Sequence, residues 1–227
     1  MTRRLLVQDL GRRTYGEVLE LQRNLCRERM LGQLGEDLLL LVEHDPVVTL
    51  GRGTRPTSVP LAPSDLLRRG VEVFEVERGG DVTFHGPGQL VGYPIIDLRL
   101  HREDLHWYLR RLEAALIGAL GTLGLKAGPN PGLTGVWTQG RKIASIGIHV
   151  KQWITLHGFA LNVSTDLDYF DLIVPCGIKD VVMTSVAQEL GRTDTALWGE
   201  TRSAVIQEMG RALDLEPVEK STFMARV

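Results

Sequence analysis

Two short apolar segments in the C-terminal half of the chain constrain the fold most. Segments 142–150 and 154–162 are rich in isoleucine, valine and other residues typical of strands, and only three residues separate them. This spacing predicts an antiparallel hairpin that turns around residues 151–153. If Gly147 pairs with Gly158, Ser145 lies opposite Ala160, and four small side chains share one face.

That small face can be explained in two ways. Tight packing beneath a helix would permit small residues, but glycine weakens a strand and is usually kept where a ligand or another chain approaches the backbone. We therefore interpret the face as the floor of a groove that admits an apolar ligand.

The rest of the chain alternates between helix and strand patterns. Apolar residues recur at steps of three and four over 14–31 and 103–123, which predicts two amphipathic helices. Strands are expected at 5–9, 37–43, 47–50, 71–76 and 90–97, and Pro94 favours an edge position or a bulge in the last of these. This pattern indicates an α/β fold, with residues 1–227 as a single domain.

Composition limits the function. The chain has 43% hydrophobic and 24% charged residues and a net charge of -2, which argues against a nucleic-acid binder that relies on a positive field. Its sequence has no apolar run of the roughly 20 residues that a membrane span needs, and its start lacks a signal-peptide pattern. We expect a cytoplasmic protein that binds neither nucleic acid nor membrane.

Lys142 is a candidate for proton transfer. The sequence holds five lysines against 21 arginines, so a merely solvating charge would usually have been arginine. An ammonium beside an apolar site can lose its proton near neutral pH, which a guanidinium cannot do. An ordinary lysine at a strand end is the alternative.

Cys176 is a candidate nucleophile. It lies between a proline and a glycine, a turn context that differs from the helix and strand interiors where inert cysteines are buried. The other cysteine, Cys26, falls in the apolar stripe of the first helix and is expected in the core. A zinc site formed by His149, His157 and Cys176 is a weaker alternative, because close-spaced ligand pairs are missing.

Segment 78–90 is a candidate binding loop. Its four glycines and one proline require sharp turns or a close approach to the backbone, and no Gly-Lys-Ser/Thr ending marks it as a phosphate-binding loop. Arg78, Thr83, His85 and Gln89 could each fix a polar group. A wide hairpin connection is the alternative.

Four motifs in order resemble those of the lipoate-biosynthesis octanoyltransferases, within the larger group of biotin and lipoate protein ligases. They are RGGDVTFHGPGQ at 78–89, KIASIG at 142–147, HGFALN at 157–162 and PCG at 175–177. The resemblance runs from Leu5 to about Val186. It implies a mixed β-sheet with flanking helices.

The resemblance also implies an activity. An acyltransferase of this family moves an octanoyl group from octanoyl-acyl carrier protein to a lysine of a lipoyl domain, such as those of 2-oxoacid dehydrogenase E2 subunits or the glycine-cleavage H protein. Cys176 would carry the acyl group as a thioester, and Lys142 would favour the thiolate and relay protons. No cofactor and no metal are expected.

The acyl-binding positions of the family carry over to three short stretches of this chain. They are Arg78, Gly79, Gly80, Asp81, Val82, Thr83, Phe84 and His85, then Ser145, Ile146 and Gly147, and then Gly158, Phe159 and Ala160.

Two other functions stay open at this point. An ATP-dependent lipoate ligase of the same fold would activate a free acid as its adenylate and would not need a cysteine at position 176. A non-catalytic acyl-binding module would bind the chain without becoming acylated.

Overall fold

The computed structural model describes residues 3–174 and 181–220. The α-helices of these residues are α1 (Tyr15–Met30), α2 (Pro63–Arg68), α3 (Leu105–Thr122), α4 (Val186–Leu190) and α5 (Ala196–Leu213). The strands are β1 (Arg4–Arg13), β2 (Asp37–His44), β3 (Val47–Leu50), β4 (Glu72–Glu75), β5 (Thr83–His85), β6 (Gln89–Ile95), β7 (Gly128–Asn130), β8 (Leu133–Thr138), β9 (Arg141–Lys151), β10 (Ile154–Asn162) and β11 (Glu216–Glu219).

The strands form one large mixed sheet and one small one. The large sheet has the order β11-β1-β2-β6-β10-β9-β8-β7. Strand β1 runs parallel to both of its neighbours, and the pairs from β2 to β7 are antiparallel. The small sheet has the order β4-β3-β5. The fold is therefore the predicted α/β class, with a mixed sheet and flanking helices.

Strand β2 shows why helices cover both faces of the large sheet. Its run of leucines has no polar alternation, which is typical of a strand buried on both sides. Leu39 and Leu41 pack into a cluster with α3 and α5, whereas Leu38 and Leu40 pack into a cluster with α1. Cys26 is buried in the α1 cluster, as predicted.

The predicted hairpin is confirmed in its register. Gly147 pairs with Gly158 and Ser145 pairs with Ala160. The turn contains Gln152 and Trp153, both with positive φ, at 49° and 64°. Two positive values in succession are what a two-residue hairpin turn with the twist of its strands requires.

Segment 47–50 forms strand β3, as predicted, at the centre of the small sheet. The two expectations for Pro94 are corrected. Pro94 does not lie at an edge, because β6 lies between β2 and β10. The bulge alternative is wrong too, because the pairing of Gly92 with Phe159 and the bridge of Asp97 with Ile154 keep one register across Pro94.

The C-terminal elements, which carry no sequence motif, complete the core. Helix α5 packs against α3, and Leu197, Val205 and Met209 are buried in their shared cluster. Within residues 3–174 and 181–220, no helix is both long and apolar enough to cross a membrane.

Candidate functional site

A cavity of about 240 Å³ lies between the β9–β10 hairpin and the segment that contains β5. Most of the residues predicted from the sequence meet there. The lining includes Arg78, Gly80, Asp81, Val82, Thr83, His85, Lys142, Ser145, Ile146, Gly147, Gly158, Phe159 and Ala160. The cavity thus joins segment 78–85 to a hairpin that lies more than 50 residues further along the chain.

Two predicted residues do not line the cavity. The ring of Phe84 stacks on Tyr169, with centroids 4.7 Å apart, in the cluster beneath the small sheet. Gly79 donates its backbone N–H to the carbonyl oxygen of Ile148 at 2.8 Å, which ties the binding loop to β9. Both residues support the wall of the cavity from behind. Cys176 lies outside the described residues.

Seven lining residues were not predicted from the sequence. They are Tyr15, Val91, Tyr93, Gly132, Leu133, Thr134 and His157. Tyr15 was hidden in the apolar stripe of α1, where helical spacing cannot distinguish a core residue from a cavity residue. His157 had a signal, since it begins the third motif, next to Gly158.

The paired glycines have two effects. They leave space for the cavity, and they allow the backbone of neighbouring segments to approach the hairpin closely. A Cβ at Gly147 would lie 3.0 Å from the Gly79 carbonyl oxygen. A Cβ at Gly158 would lie only 2.1 Å from the carbonyl oxygen of Gly92 on β6. Our interpretation of the small face as a groove alone is therefore incomplete, because Gly158 is required by strand packing itself.

Arg78 holds the binding loop together. It is buried, and its guanidinium donates to the Thr49 carbonyl oxygen at 2.7 Å and to the Asp81 carbonyl oxygen at 2.6 Å. These charge-assisted bonds fix the bend of the loop, so that Gly80 and Asp81 lie at the cavity. The side chain expected to bind a ligand thus also has a structural role.

A buried chain of hydrogen bonds connects the binding loop to Lys142. His85 Nδ1 donates to Gln89 Oε1 at 2.8 Å, and Gln89 Nε2 donates to Asn162 Oδ1 at 2.9 Å. Asn162 Nδ2 donates to the Thr184 carbonyl oxygen at 3.0 Å, and the Thr184 N–H donates to the Lys142 carbonyl oxygen at 2.9 Å. Burial lowers the pKa of His85 to about 3, so its ring is neutral near neutral pH.

Lys142 lies in the wall of the cavity with only 4% of its surface exposed. Its Nζ lies 5.7 Å from the centroid of the Trp137 ring, within the range of a cation–π contact. Gly135 makes room for it, since a Cβ there would lie 2.9 Å from Lys142 Cε. The amine is therefore held in a confined position beside an aromatic ring.

The described residues on either side of Cys176 are fixed near this cavity. Before it, the Val174 N–H donates to the Ser58 carbonyl oxygen at 2.8 Å, and Ser58 Oγ donates to the Asp81 carboxylate at 2.8 Å. After it, the Val182 carbonyl oxygen accepts from the Lys142 N–H at 2.8 Å. The later flank is thus bonded directly to Lys142 in the cavity lining, and the earlier flank is connected to the lining residue Asp81 through Ser58.

The described residues contain no metal centre. His149 and His157 lie on the two strands of the hairpin, and Cys176, the third residue of the zinc alternative, is outside the described ranges. Among residues 3–174 and 181–220, no three histidine, cysteine, aspartate or glutamate side chains are grouped to hold a metal ion.

The family model of the lipoyl protein ligase A/B catalytic domain matches residues 14–210. An octanoyltransferase of Solibacter usitatus is 52% identical over 186 residues, which are 82% of this chain and 84% of the relative. An octanoyltransferase of a Nostoc species is 46% identical over 214 residues, 94% of each chain.

A solved structure shows the same fold. It is the bipartite lipoate protein ligase of Thermoplasma acidophilum, described with its E2 lipoyl domain, and it matches at a TM-score of 0.75 with 19% identity. The match covers 99% of this chain and 88% of that chain. Identity near one half over most of the length is far more specific than the shared fold, and the chain therefore belongs to the octanoyltransferase family and is an acyltransferase.

Proposed function

We propose that this acyltransferase moves an octanoyl group from octanoyl-acyl carrier protein to one lysine of a lipoyl domain, through a thioester on Cys176. The acceptors in this proposal are the lipoyl domains of 2-oxoacid dehydrogenase E2 subunits and the glycine-cleavage H protein. The reaction would attach the chain from which protein-bound lipoate is made.

The observation that carries the proposal is the attachment of both flanks of Cys176 to the cavity that contains Lys142. The chain from Val174 to Cys176 spans at most about 7 Å when fully extended. Val174 is itself bonded to Ser58, whose hydroxyl contacts Asp81 in the cavity lining. This anchoring supports a nucleophile at the cavity and a lysine within reach of it.

The cavity fits an acyl chain. Its walls contain Val82, Val91, Ile146, Phe159 and Ala160, which offer apolar surface to methylene groups. The glycines of the hairpin keep long side chains out of the same space. An apolar channel beside a buried amine is the arrangement expected for holding an acyl thioester out of water.

The chemistry proceeds in two exchanges. The Cys176 thiolate attacks the carbonyl carbon of the donor thioester, a carbon–sulfur bond forms, and the carrier thiolate leaves and takes up a proton. The target lysine amine then attacks the new thioester, an amide bond forms, and the Cys176 thiolate is released. A thioester is already activated, so neither exchange requires ATP.

Lys142 has a role in each exchange. As an ammonium it favours the Cys176 thiolate, which is the reactive form of a thiol. As an amine it accepts the proton that the incoming target lysine must lose when the amide forms. A buried lysine suits both roles, because its charge can be given up and regained during one cycle.

Intact-protein mass spectrometry after mixing with octanoyl-acyl carrier protein tests the proposal. We expect a mass gain of one octanoyl group in the wild type and none in Cys176→Ala. Cys26→Ala is the matched control, since Cys26 is buried and its thiol pKa is raised by burial. That variant should become acylated normally.

Adding a lipoyl domain without ATP should then move the group to one acceptor lysine. An adduct that persists in Cys176→Ala would contradict the thioester intermediate. A product that forms only with ATP and free octanoate would instead assign the chain to the ligase chemistry.

A further inference from the structure

Trp137 and Lys142 meet where strands β8 and β9 pair. The register joins Trp137 to Lys142, and Lys142 Nζ lies over the indole ring, 5.7 Å from its centroid. Between this pair and the pair of Val136 with Ala144, the register shifts by one residue. An irregularity of this kind re-aims a side chain and is often found next to active sites. The contact between ring and amine is thus built into the pairing of the two strands.

The rest of Lys142 is fixed as well. Its backbone N–H donates to the Val182 carbonyl oxygen at 2.8 Å, and its carbonyl oxygen accepts from the Thr184 N–H at 2.9 Å. Along the side chain, Gly135 leaves space that a Cβ would fill, since that atom would lie 2.9 Å from Lys142 Cε. The lysine side chain therefore passes over Gly135 and ends at the ring of Trp137.

Trp137 offers Lys142 the face of its ring. Trp137 is 8% exposed, and among residues 3–174 and 181–220 its indole nitrogen makes no hydrogen bond. The face of an indole ring carries partial negative charge and attracts a cation that lies within about 6 Å of its centroid. The attraction is strongest when the cation is withdrawn from water, and Lys142 is only 4% exposed.

The ring and the burial of the amine act in opposite directions. Burial favours the neutral form of an amine, because the charged form loses its hydration. The ring favours the ammonium, because only a cation is attracted to its face. A desolvated contact of this kind shifts the balance between the two forms by about one pH unit.

We propose that Trp137 is a positioning residue, whose ring face holds the Lys142 ammonium at the cavity wall and sets the pH at which this amine gives up its proton. The inference rests on the proposed function, in which Lys142 is an ammonium beside the thiolate and then an amine that accepts a proton. The ring favours the form that the first exchange needs. It also raises the pH that the second exchange needs.

Other charged and titratable side chains lie on the elements around Lys142. They are Glu113, Arg141 and Glu189 and, in the cavity lining, Arg78, Asp81, His85 and His157. Glu113 and Glu189 are each paired with an arginine, and Asp81 accepts from the Ser58 hydroxyl. Because these groups are the same in all the proteins compared below, a difference in the titration of Lys142 reports the ring.

NMR of protein with ¹³C-labelled lysine tests the inference, because the Cε chemical shift of a lysine changes when Nζ loses its proton. The Lys142 signal is the one that is absent from Lys142→Arg. All samples carry Cys176→Ala, which removes the thiol that would otherwise titrate together with the amine. We expect Trp137→Leu, which keeps the position apolar but has no ring face, to lower the pH midpoint of the Lys142 signal by about one unit.

Fluorinated tryptophan provides a second variant that leaves the packing intact. 5-Fluorotryptophan has nearly the shape of tryptophan, but its fluorine withdraws negative charge from the ring face. Its incorporation should lower the midpoint in the same direction, by less than the leucine substitution does. It should have no further effect in Trp137→Leu, where only the other tryptophans carry fluorine. A folding defect in Trp137→Leu would therefore still leave a decisive protein.

Trp107→Leu is the matched control. The Trp107 ring also contacts a cation, since Arg111 Cζ lies 5.4 Å from its centroid, but both residues are on α3 and neither lines the cavity. This variant should leave the Lys142 midpoint unchanged.

The same shift should appear in the reaction. In proteins that retain Cys176, the pH at which transfer to the lipoyl domain reaches half of its maximum rate should fall by about one unit in Trp137→Leu. A loss of packing alone would lower the rate at every pH and leave that pH unchanged.

The outcomes separate this inference from the proposed function. A Lys142 midpoint that fluorination leaves unchanged overturns the role of the Trp137 ring. A lower midpoint without a change in the pH dependence of transfer overturns its role in the reaction. A midpoint that falls as expected in a protein whose parent transfers no octanoyl group overturns the proposed function and keeps the contact.

Discussion

The two faces of the large sheet are buried by different means. The face covered by α3 and α5 is packed mainly with leucine, isoleucine, valine and alanine. The face covered by α1 also buries polar side chains, among them Tyr15, Gln22, His44 and His157. The first face is packed as an apolar core, whereas the second also buries polar side chains, of which Tyr15 and His157 line the cavity.

Because of this difference, residues that mainly stabilise the fold and residues that form the active cavity are found in the same sheet. Leu39 and Leu40 are consecutive residues of β2, yet they belong to different clusters. Substitutions in the α3–α5 core away from the cavity should reduce the free energy of unfolding only, and those at the cavity wall should also change acyl transfer. Four predictions test this, from the largest expected effect to the smallest.

Lys142→Ala should reduce the rate of octanoyl transfer by about 10²–10⁴-fold, as is usual when a proton-transfer group is removed. Lys142→Arg keeps a cation but cannot release its proton at neutral pH. It should therefore retain some acylation of Cys176 and lose most of the onward transfer to the lipoyl domain. Single-turnover mass spectrometry separates the two steps.

Near-normal turnover in Lys142→Arg would reduce this lysine to a fixed charge. Near-normal turnover in Lys142→Ala would remove it from the mechanism.

Leu116→Ala, on α3, should lower the free energy of unfolding by about 2–5 kcal/mol, because the side chain is fully buried and leaves a cavity. Chemical denaturation measures this. The folded fraction should still transfer octanoyl at the normal rate, since Leu116 does not line the active cavity. Leu67→Ala is the control, because Leu67 is 65% exposed and its loss should change stability little.

A stability change in Leu116→Ala no larger than that in Leu67→Ala would show that the α3–α5 face is not the main core.

Gly147→Ala should destabilise the protein by about 1–3 kcal/mol and weaken acyl binding. The new methyl group would press on the Gly79 carbonyl oxygen at 3.0 Å and displace the binding loop. Gly121→Ala on α3 is the matched change, and we expect it to have the opposite effect on the free energy of unfolding. No atom lies within 4 Å of its added Cβ, so alanine should stabilise the helix by about 0.5–1 kcal/mol.

Thermal unfolding of both glycine variants provides the comparison. Equal shifts in Tm would contradict the proposed contact between β9 and the binding loop.

The buried histidines of the α1 face should make stability depend on pH. Burial lowers the pKa of His44 to about 4, below the value of about 6.5 expected in the unfolded chain. The unfolded state therefore binds more protons as pH falls below about 6.5. The contribution of His44 to stability should decrease by about 1.4 kcal/mol per pH unit until about pH 4.

His44→Gln removes the titrating group and so isolates the contribution of His44 to the pH dependence of stability. As pH falls from 6.5 to 4, the free energy of unfolding of the wild type should decrease relative to that of the variant by about 1.4 kcal/mol per pH unit. A difference that is independent of pH between 4 and 6.5 would show that His44 is not kept neutral by burial.

Much of the fold could be predicted from local patterns. Both long helices were located to within two residues, and the pairing of Gly147 with Gly158 follows from strand alternation and a short connection. The stretches at 78–85, 145–147 and 158–160 were identified by motif, and most of their residues do line one cavity.

What the tertiary structure decided is the environment of each residue. Periodicity shows that Tyr15 faces inward from α1, but not that it faces a cavity in place of a core. Glycine in a strand shows that something approaches closely, but only the folded sheet identifies the Gly92 carbonyl as the neighbour of Gly158. The spacing of apolar residues along a helix or strand predicts which of its sides is buried, because any apolar neighbour can bury that side. The partner against which it is buried depends on how distant segments pack together.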